Sequence, residues 1–242
     1  MSTSAARKIS SAEVGAIDWG RIAADLDAQG HAVIERLLAA EQCDALVKLY
    51  SSADLFRSRV IMSRHGYGRG EYQYFSYPLP DVVAGLRTSI YPHLAPIANR
   101  WNELLGSDVR FPADHAEFIE RCHAAGQKRP TPLLLQYQTG DYNCLHQDLY
   151  GEHAFPLQMA ILLSKPHAEF TGGEFVLVEQ RPRMQSRPRV ISLQQGDAAI
   201  FAVNRRSITG SRGNYRVMMR HGVSPLRSGE RSTLGIIFHD AQ

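Results

Sequence analysis

The most chemically suggestive pair of residues in the chain is His146 and Asp148, which stand one residue apart. They close a segment that begins at Leu133 and is typical of an apolar strand, a turn at Gly140 and a second strand. Side chains alternate along a strand, so we expect His146 and Asp148 on one face, beside an apolar wall. An imidazole and a carboxylate at this spacing are two thirds of a 2-His-1-carboxylate iron site. The alternative is a strand that ends in two solvated polar residues.

The third ligand of such a site is expected from a later strand, and His221 is the candidate. It ends an apolar strand, and Gly222 relieves crowding immediately after it. Two histidines and one carboxylate bind one face of Fe(II) and leave open positions for oxygen chemistry. We therefore predict His146, Asp148 and His221 as metal ligands, with no catalytic residue beyond them. Taken alone, His221 would more simply be a surface histidine at the end of a strand.

Arg231 precedes another late strand, and Thr233 shares its face. A guanidinium that points into a jelly roll needs an anion, because an unpaired buried charge is costly. The distal carboxylate of 2-oxoglutarate suits it, since arginine can hold a carboxylate with two hydrogen bonds. Tyr137, on the strand before the His146 strand, can donate a further hydrogen bond to the same carboxylate. The alternative is that Arg231 is one more solvated arginine.

The elements that must position these residues change character near residue 131. Before it, amphipathic periodicity predicts helices over residues 18–28, 39–50, 81–106 and 113–125. Pro92 and Pro96 are expected to kink or divide the third of them. After it, about eight short strands between turn signals are typical of a β-sandwich or jelly roll. The predicted fold is mostly β, with a double-stranded β-helix (jelly-roll) core packed by N-terminal helices.

This pattern also predicts how the chain is divided. Residues 1–10 are small and polar and are expected to form a disordered tail. Residues 11–130 are expected to form a helical N-terminal layer, and residues 131–242 the catalytic core. We expect the layer and the core to form one structural unit.

Two basic segments are candidates for substrate binding. Residues 53–80, expected as a loop that faces the substrate, mix arginines with tyrosines and glycines, and such a stretch can hold a polyanion and stack on bases. Residues 181–189 form a second loop, rich in arginine, that suits a phosphate backbone. The residues predicted to contact substrate are Arg69, Tyr72, Tyr74, Arg181, Arg183 and Arg187. The alternative is a solvated basic face, or a site for an acidic peptide or a small anion.

Net charge, apolar content and cysteine spacing exclude only a few classes of protein. The net charge of +3 is too small to establish a nucleic-acid partner by itself. No run of about 18 apolar residues is present, so no membrane-spanning helix is expected. The cysteines, Cys43, Cys122 and Cys144, lack the C-x-x-C spacing of a structural zinc site. They predict a reducing, cytoplasmic location without disulfides.

On these residues the chain resembles the 2-oxoglutarate- and Fe(II)-dependent dioxygenases over residues 131–240. The motif that carries the resemblance is His146-x-Asp148, then His221, then Arg231-x-Thr233. The interval from Tyr137 to His146 is similar to that of the alkylation-repair dioxygenases. The short interval from His221 to Arg231 looks more like the prolyl hydroxylases, as does the Gly-Gly pair within residues 171–175.

A longer resemblance is to one bacterial family, the oxygenases catalogued as acting on damaged, alkylated DNA. The segments that carry it are residues 66–72, 112–118, 146–153, 180–188 and 234–240. It implies Fe(II) as cofactor, 2-oxoglutarate and O2 as cosubstrates, and oxidative demethylation of alkylated DNA or RNA. Two alternatives stay open at this point. One is a protein side-chain hydroxylase of the prolyl type with the same iron site, and the other is a non-catalytic metal-binding jelly-roll sensor.

Overall fold

The computed structural model describes residues 11–211 and 213–242, so the predicted tail at 1–10 lies outside the described residues. The helices are α1 (Ser11–Gly15), α2 (Trp19–Gln29), α3 (Ala40–Lys48), α4 (Asp81–Leu104) and α5 (His115–Ala124). The strands of the N-terminal half are β1 (His31–Ile34), β2 (Phe56–Ile61), β3 (Gly68–Arg69) and β4 (Glu71–Phe75). The later strands are β5 (Leu133–Gln138), β6 (Tyr142–His146), β7 (Leu157–Leu162), β8 (Phe170–Gly172), β9 (Phe175–Gln180), β10 (Arg187–Ile191), β11 (Ala198–Ala202), β12 (Arg205–Gly210), β13 (Gly213–Val223) and β14 (Leu226–Ile237).

Two antiparallel sheets enclose a cavity between them. The larger sheet has the order β1-β11-β7-β14-β5-β4-β2, with β8 paired to β14. The smaller sheet has the order β10-β9-β13-β6-β3, with β12 paired to β13. Several neighbouring strands are far apart in the chain, such as β7 and β14 or β6 and β13, as in a double-stranded β-helix. The prediction of a jelly-roll core packed by helices is confirmed.

The N-terminal half departs from the helical layer that the sequence predicts over 11–130. Strand β1 forms one edge of the larger sheet, and β4 pairs with β5 and carries β2 at the other edge. Strand β3 joins the smaller sheet through β6. Residues 53–80, predicted as a loop, therefore contain strands that extend both sheets. The physical reason for this difference is the pairing of β4 with β5. The open edge of β5 comes next to β4 only when the chain folds.

Helix α4 packs against the larger sheet and runs unbroken through Pro92 and Pro96. Of the two predicted effects of these prolines, a kink or a division, the division is wrong. Leu86 of α4 belongs to the same buried apolar core as Ile236 of β14, and this burial offsets the hydrogen bonds that proline removes. No helix among the described residues is long and apolar enough to cross a membrane.

Strand β14 joins the core to the cavity, because its two faces have different surroundings. Arg231 and Thr233 line the cavity between the sheets. Leu234 and Ile236 lie on the opposite face, in the core shared with α4. The larger sheet thus places polar side chains in the cavity while its outer face stays packed.

Candidate metal centre

Three predicted ligands converge where β6 and β13 run side by side. The register of these strands sets His221 directly opposite His146, and the two ring centroids lie 4.1 Å apart. Asp148 lies just beyond β6, with Oδ1 3.4 Å from His146 Nε2 and Oδ2 3.4 Å from His221 Nε2. The three potential ligand atoms lie within 4.8 Å of one another. This arrangement has the spacing and the donor set of a 2-His-1-carboxylate metal site.

A backbone contact fixes the orientation of His146. The Nδ1 atom of His146 lies 2.8 Å from the carbonyl oxygen of Cys144, to which an Nδ1–H donates. That bond leaves Nε2 as the ring nitrogen that faces Asp148, as in metal-binding histidines whose second nitrogen is held. Gly222 allows β6 to lie this close, since a Cβ atom there would be 2.7 Å from the carbonyl oxygen of Asn143. The predicted relief of crowding by Gly222 has this contact as its cause.

The electrostatics of Asp148 and His221 favour the forms that bind a cation, whereas those of His146 favour the imidazolium. Burial alone would raise the pKa of Asp148, but hydrogen bonds from both imidazoles outweigh it and hold this pKa well below its usual range. Burial, followed by the charge of His146, lowers the pKa of His221. Burial also acts to lower the pKa of His146, but the neighbouring Asp148 carboxylate outweighs it and raises that pKa. An ionised carboxylate between two imidazoles, walled by protein, is a site that a divalent cation completes.

The cavity beside the cluster has a volume of about 420 Å³ and is lined by both sheets. His146, Asp148 and His221 lie on the side of the smaller sheet, and Arg231 and Thr233 on that of the larger. The cavity thus has a polar group on each sheet, and the rest of its wall is largely apolar and aromatic.

Arg231 is 3% exposed and lies on β14 directly opposite Tyr137 of β5. Its Nη1 atom donates to Thr233 Oγ1 at 2.6 Å, and its guanidinium carbon lies 5.6 Å from the centroid of the Tyr137 ring. Within the described part of the chain, its Nε atom has no hydrogen-bond partner and no carboxylate forms an ion pair with it. A buried cation left in this state marks a site for an anion.

Tyr137 brings a phenol to the same place. Its side chain is buried, and its hydroxyl lies 3.5 Å from Asn143 Nδ2. Burial raises the pKa of Tyr137 to about 12, so the phenol stays protonated at neutral pH and can donate. The structure therefore brings together Arg231, Thr233 and Tyr137, the three residues predicted to hold the cosubstrate.

The six predicted substrate residues fall into two groups. Tyr72 and Tyr74 line the cavity. The four arginines are absent from the described residues of its lining. Arg69 lies largely in solvent, 3.9 Å from Asp141, and Arg181 donates to Glu179 at 2.7 Å. Arg183 and Arg187 lie near the start of β10, at the edge of the smaller sheet.

Tyr150 is a cavity residue that sequence reasoning missed. It lies in the segment between β6 and β7, and its hydroxyl donates to Asp148 Oδ1 at 2.8 Å. Because this segment has no regular secondary structure, no periodicity could mark the residue. Its place two positions after Asp148 was the one available signal.

Comparison with known proteins gives the chain a family. A family model described as "Oxygenase, catalysing oxidative methylation of damaged DNA" matches residues 70–241. Two uncharacterised proteins of Mycobacterium tuberculosis, from strains CDC 1551 and H37Rv, are each 50% identical to the chain over 167 residues. Those matches cover 69% of this chain and 72% of each relative.

Solved structures share the fold at low sequence identity. A prolyl-4-hydroxylase of Pseudomonas putida aligns with a TM-score of 0.51 and 14% identity, covering 93% of this chain and 99% of that one. An oxidoreductase of the 2-oxoglutarate–Fe(II) oxygenase family from Burkholderia pseudomallei aligns with 0.53 and 16%, covering 93% and 94%. A prolyl hydroxylase of Trichoplax adhaerens, in complex with a hypoxia inducible factor peptide, aligns with 0.53 and 14%, covering 90% and 86%.

Proposed function

Because the chain belongs to the Oxygenase-NA family of oxygenases, we propose that it oxidises alkylated nucleic acid with Fe(II), 2-oxoglutarate and O2. The fold is that of the 2-oxoglutarate–Fe(II) oxygenases, whose cofactor and cosubstrates the sequence also predicts. The observation that carries the proposal is the unpaired, buried Arg231 on the opposite wall of the cavity from the His146–Asp148–His221 cluster.

His146, Asp148 and His221 are the residues that would hold Fe(II). When bound, the iron supplies the oxidation chemistry that no protein side chain can provide. The residues of the chain orient the ligand set: the Cys144 carbonyl oxygen holds His146, and the strand register holds His221 against it. The apolar and aromatic walls exclude water from the reacting centre.

Arg231, Thr233 and Tyr137 would hold the distal carboxylate of 2-oxoglutarate. Arg231 provides the charge, Thr233 orients the guanidinium through its 2.6 Å hydrogen bond, and Tyr137 provides a second donor. The carboxylate gives the buried guanidinium the partner that it lacks, so binding relieves an electrostatic cost already present in the protein. The keto acid end then lies towards the metal ligands.

The nature of the substrate is the finer part of the proposal. The family description names damaged DNA, and a planar base is the kind of group that Tyr72 and Tyr74 could pack against at the cavity wall. Arg69, Arg181, Arg183 and Arg187 would then contact phosphates outside the cavity. A second candidate is hydroxylation of a protein side chain, which the fold shared with two prolyl hydroxylases favours.

Succinate release distinguishes these functions. The protein with Fe(II) and 2-oxoglutarate is given N-methylated single-stranded DNA, the same DNA without methyl groups, or a proline-containing peptide. We expect succinate and an equal amount of formaldehyde with methylated DNA alone. His221→Ala should lower the rate at least 100-fold, a loss in the range that removal of essential catalytic groups produces. His93→Gln, on the far side of α4 where the ring stacks on Trp19, serves as control.

The other outcomes of this assay are equally informative. Succinate with the peptide and none with DNA would assign a side-chain hydroxylase. Metal binding without succinate from any of the three additions would support the non-catalytic sensor. A full rate in His221→Ala would remove the proposed metal site.

A further inference from the structure

The carboxylate of Asp148 is held by a chain of two phenols that reaches across the cavity. Tyr150 donates to Asp148 Oδ1 at 2.8 Å, and Tyr74 donates to the Tyr150 hydroxyl oxygen at 3.0 Å. An ionised carboxylate can only accept, so the proton of Tyr150 must point to Asp148, and its oxygen is free to accept from Tyr74. The charge of Asp148 therefore fixes the donor and the acceptor in both hydrogen bonds, from Tyr74 to Tyr150 and from Tyr150 to Asp148.

The far end of this chain is fixed to the larger sheet. Tyr74 is a buried residue of β4, and its ring meets the ring of Tyr150 edge-on, at 6.4 Å and 89°. The Arg57 guanidinium lies over the Tyr74 ring, 4.5 Å from its centroid. The donor to Tyr150 thus belongs to a strand that is paired on both sides, with β2 and with β5.

The backbone of Tyr150 is anchored independently of its hydroxyl. The fully buried Gln127 donates through Nε2 to the carbonyl oxygen of Tyr150 at 3.1 Å and to that of Asp240 at 2.6 Å. It also accepts from the amide of His153 at 2.8 Å. Gly151 admits the Gln127 side chain, since a Cβ atom there would lie 2.4 Å from Gln127 Cδ. The irregular segment that follows Asp148 is therefore bonded to Gln127 at two points, Tyr150 and His153.

We infer that Tyr150 is a positioning residue that restricts Asp148 to one metal-binding oxygen, and that Tyr74 holds Tyr150 in that role. The phenol occupies a lone pair of Oδ1 and so weakens the binding of this oxygen to a cation, which favours Oδ2, the oxygen beside His221. A carboxylate that bound through both oxygens would occupy one of the positions that 2-oxoglutarate and O2 need. The inference rests on the proposed metal site and goes beyond it, because it assigns the carboxylate geometry to residues that never touch the metal.

The test uses Co(II), whose absorption bands report the number and geometry of its ligands, titrated into the metal-free protein. Tyr150→Phe keeps the ring and removes the donor. We expect Co(II) affinity to fall about 10- to 100-fold, the usual effect of removing an outer partner of a metal ligand. We also expect altered Co(II) bands and a weaker response of those bands to 2-oxoglutarate. Tyr74→Phe should show a smaller change of the same sign, below about 5-fold, because it leaves the Tyr150–Asp148 bond in place.

Tyr91→Phe is the matched control, since it removes a buried phenol whose hydroxyl donates to Pro112, away from the cavity. It should bind Co(II) as the unmodified protein does. If the unmodified protein binds no Co(II), the proposed metal site itself is wrong. If it binds and Tyr150→Phe has the same affinity and bands, the metal site stands and the role of Tyr150 is overturned. Should Tyr150→Phe fail to fold, an unchanged affinity in Tyr74→Phe overturns the inference instead.

Discussion

Arg87 and Arg231 are both almost completely buried, at 2% and 3% exposure, yet their surroundings are opposite. Arg87, on α4, donates to Asp240 at 2.7 Å, to the Ile237 carbonyl oxygen at 2.9 Å and to the Tyr77 hydroxyl at 3.0 Å. Arg231 donates to Thr233 and, among the described residues, has no carboxylate in an ion pair. Each guanidinium nitrogen of Arg87 has a partner inside the protein, and we call this the closed network. Arg231 belongs to an open network, because its Nε atom has no partner among the described residues.

This difference corresponds to two roles that a buried charge can have in a protein. A charge whose donors are all matched inside the protein holds elements together, here α4 and the end of the chain after β14. A charge with unmatched donors beside a cavity lowers stability and is retained where a ligand completes it. The four predictions below test this contrast between the Arg87 and Arg231 sites.

Arg87→Met should have the largest effect on folding. It leaves Asp240 buried without its cation, and breaking a buried pair in this way costs about 3–5 kcal/mol. Urea denaturation measures the loss in unfolding free energy. The double variant Arg87→Met/Asp240→Asn should recover part of it, because it removes the uncompensated charge. A loss below about 1 kcal/mol in the single variant would contradict the closed network.

Arg231→Met should affect binding and spare folding. We expect 2-oxoglutarate to bind at least 100-fold more weakly, about 2.7 kcal/mol, because the distal carboxylate loses its charged partner. The melting temperature should stay the same or rise, since an unpaired buried cation is replaced by an apolar side chain. Calorimetric titration of the metal-loaded protein and a thermal melt measure the two quantities. A fall in melting temperature as large as that of Arg87→Met would make Arg231 a structural residue.

Two buried histidines that experience the charge of Arg87, His115 and His239, should also make the unfolding free energy depend on pH. Burial lowers the pKa of His115 and of His239 from the ordinary value of 6.5 to about 4. Between these values the unfolded chain takes up protons that the folded protein refuses, so unfolding free energy is complete above about pH 6.5 and falls towards pH 4. The loss is of the order of 1–3 kcal/mol for each group. Urea denaturation at several pH values tests it, and His115→Gln should flatten the profile, whereas Thr233→Val should not.

Thr233→Val should give the smallest effect. It removes one hydrogen bond to Arg231, worth about 1 kcal/mol, so 2-oxoglutarate should bind about 5-fold more weakly. The same titration used for Arg231→Met measures it. Tighter binding would show that Thr233 competes with the cosubstrate for the guanidinium and does not orient it.

The parts of the site that sequence reasoning predicted are those that depend on local pattern. His146 and Asp148 were identified from alternation within one strand, and His221 and Arg231 from the order of strands along the chain. The prediction of a jelly-roll oxygenase is confirmed by the fold and by the family match. The roles of the individual residues stay predictions.

The parts that were missed depend on contacts between distant residues. Strands β2 and β4 were predicted as a loop, because arginines and glycines obscure an alternation that becomes stable only when β4 pairs with β5. Tyr150 and Gln127 act through contacts across irregular segments, where no period exists to detect. The sequence gives no sign that Arg87 is paired, since the carboxylate that pairs with it comes from the far end of the chain.

The division of the site between two sheets has a mechanical consequence. The proposed metal ligands are attached to the smaller sheet through β6 and β13, while Arg231, Thr233 and Tyr137 are attached to the larger sheet through β14 and β5. A cosubstrate that contacts both groups would link the two sheets. At 100 times its dissociation constant, it would add about 2.7 kcal/mol to the unfolding free energy. The exchange of backbone amide hydrogens should then slow in both sheets together, because the bound cosubstrate makes opening of either sheet less favourable.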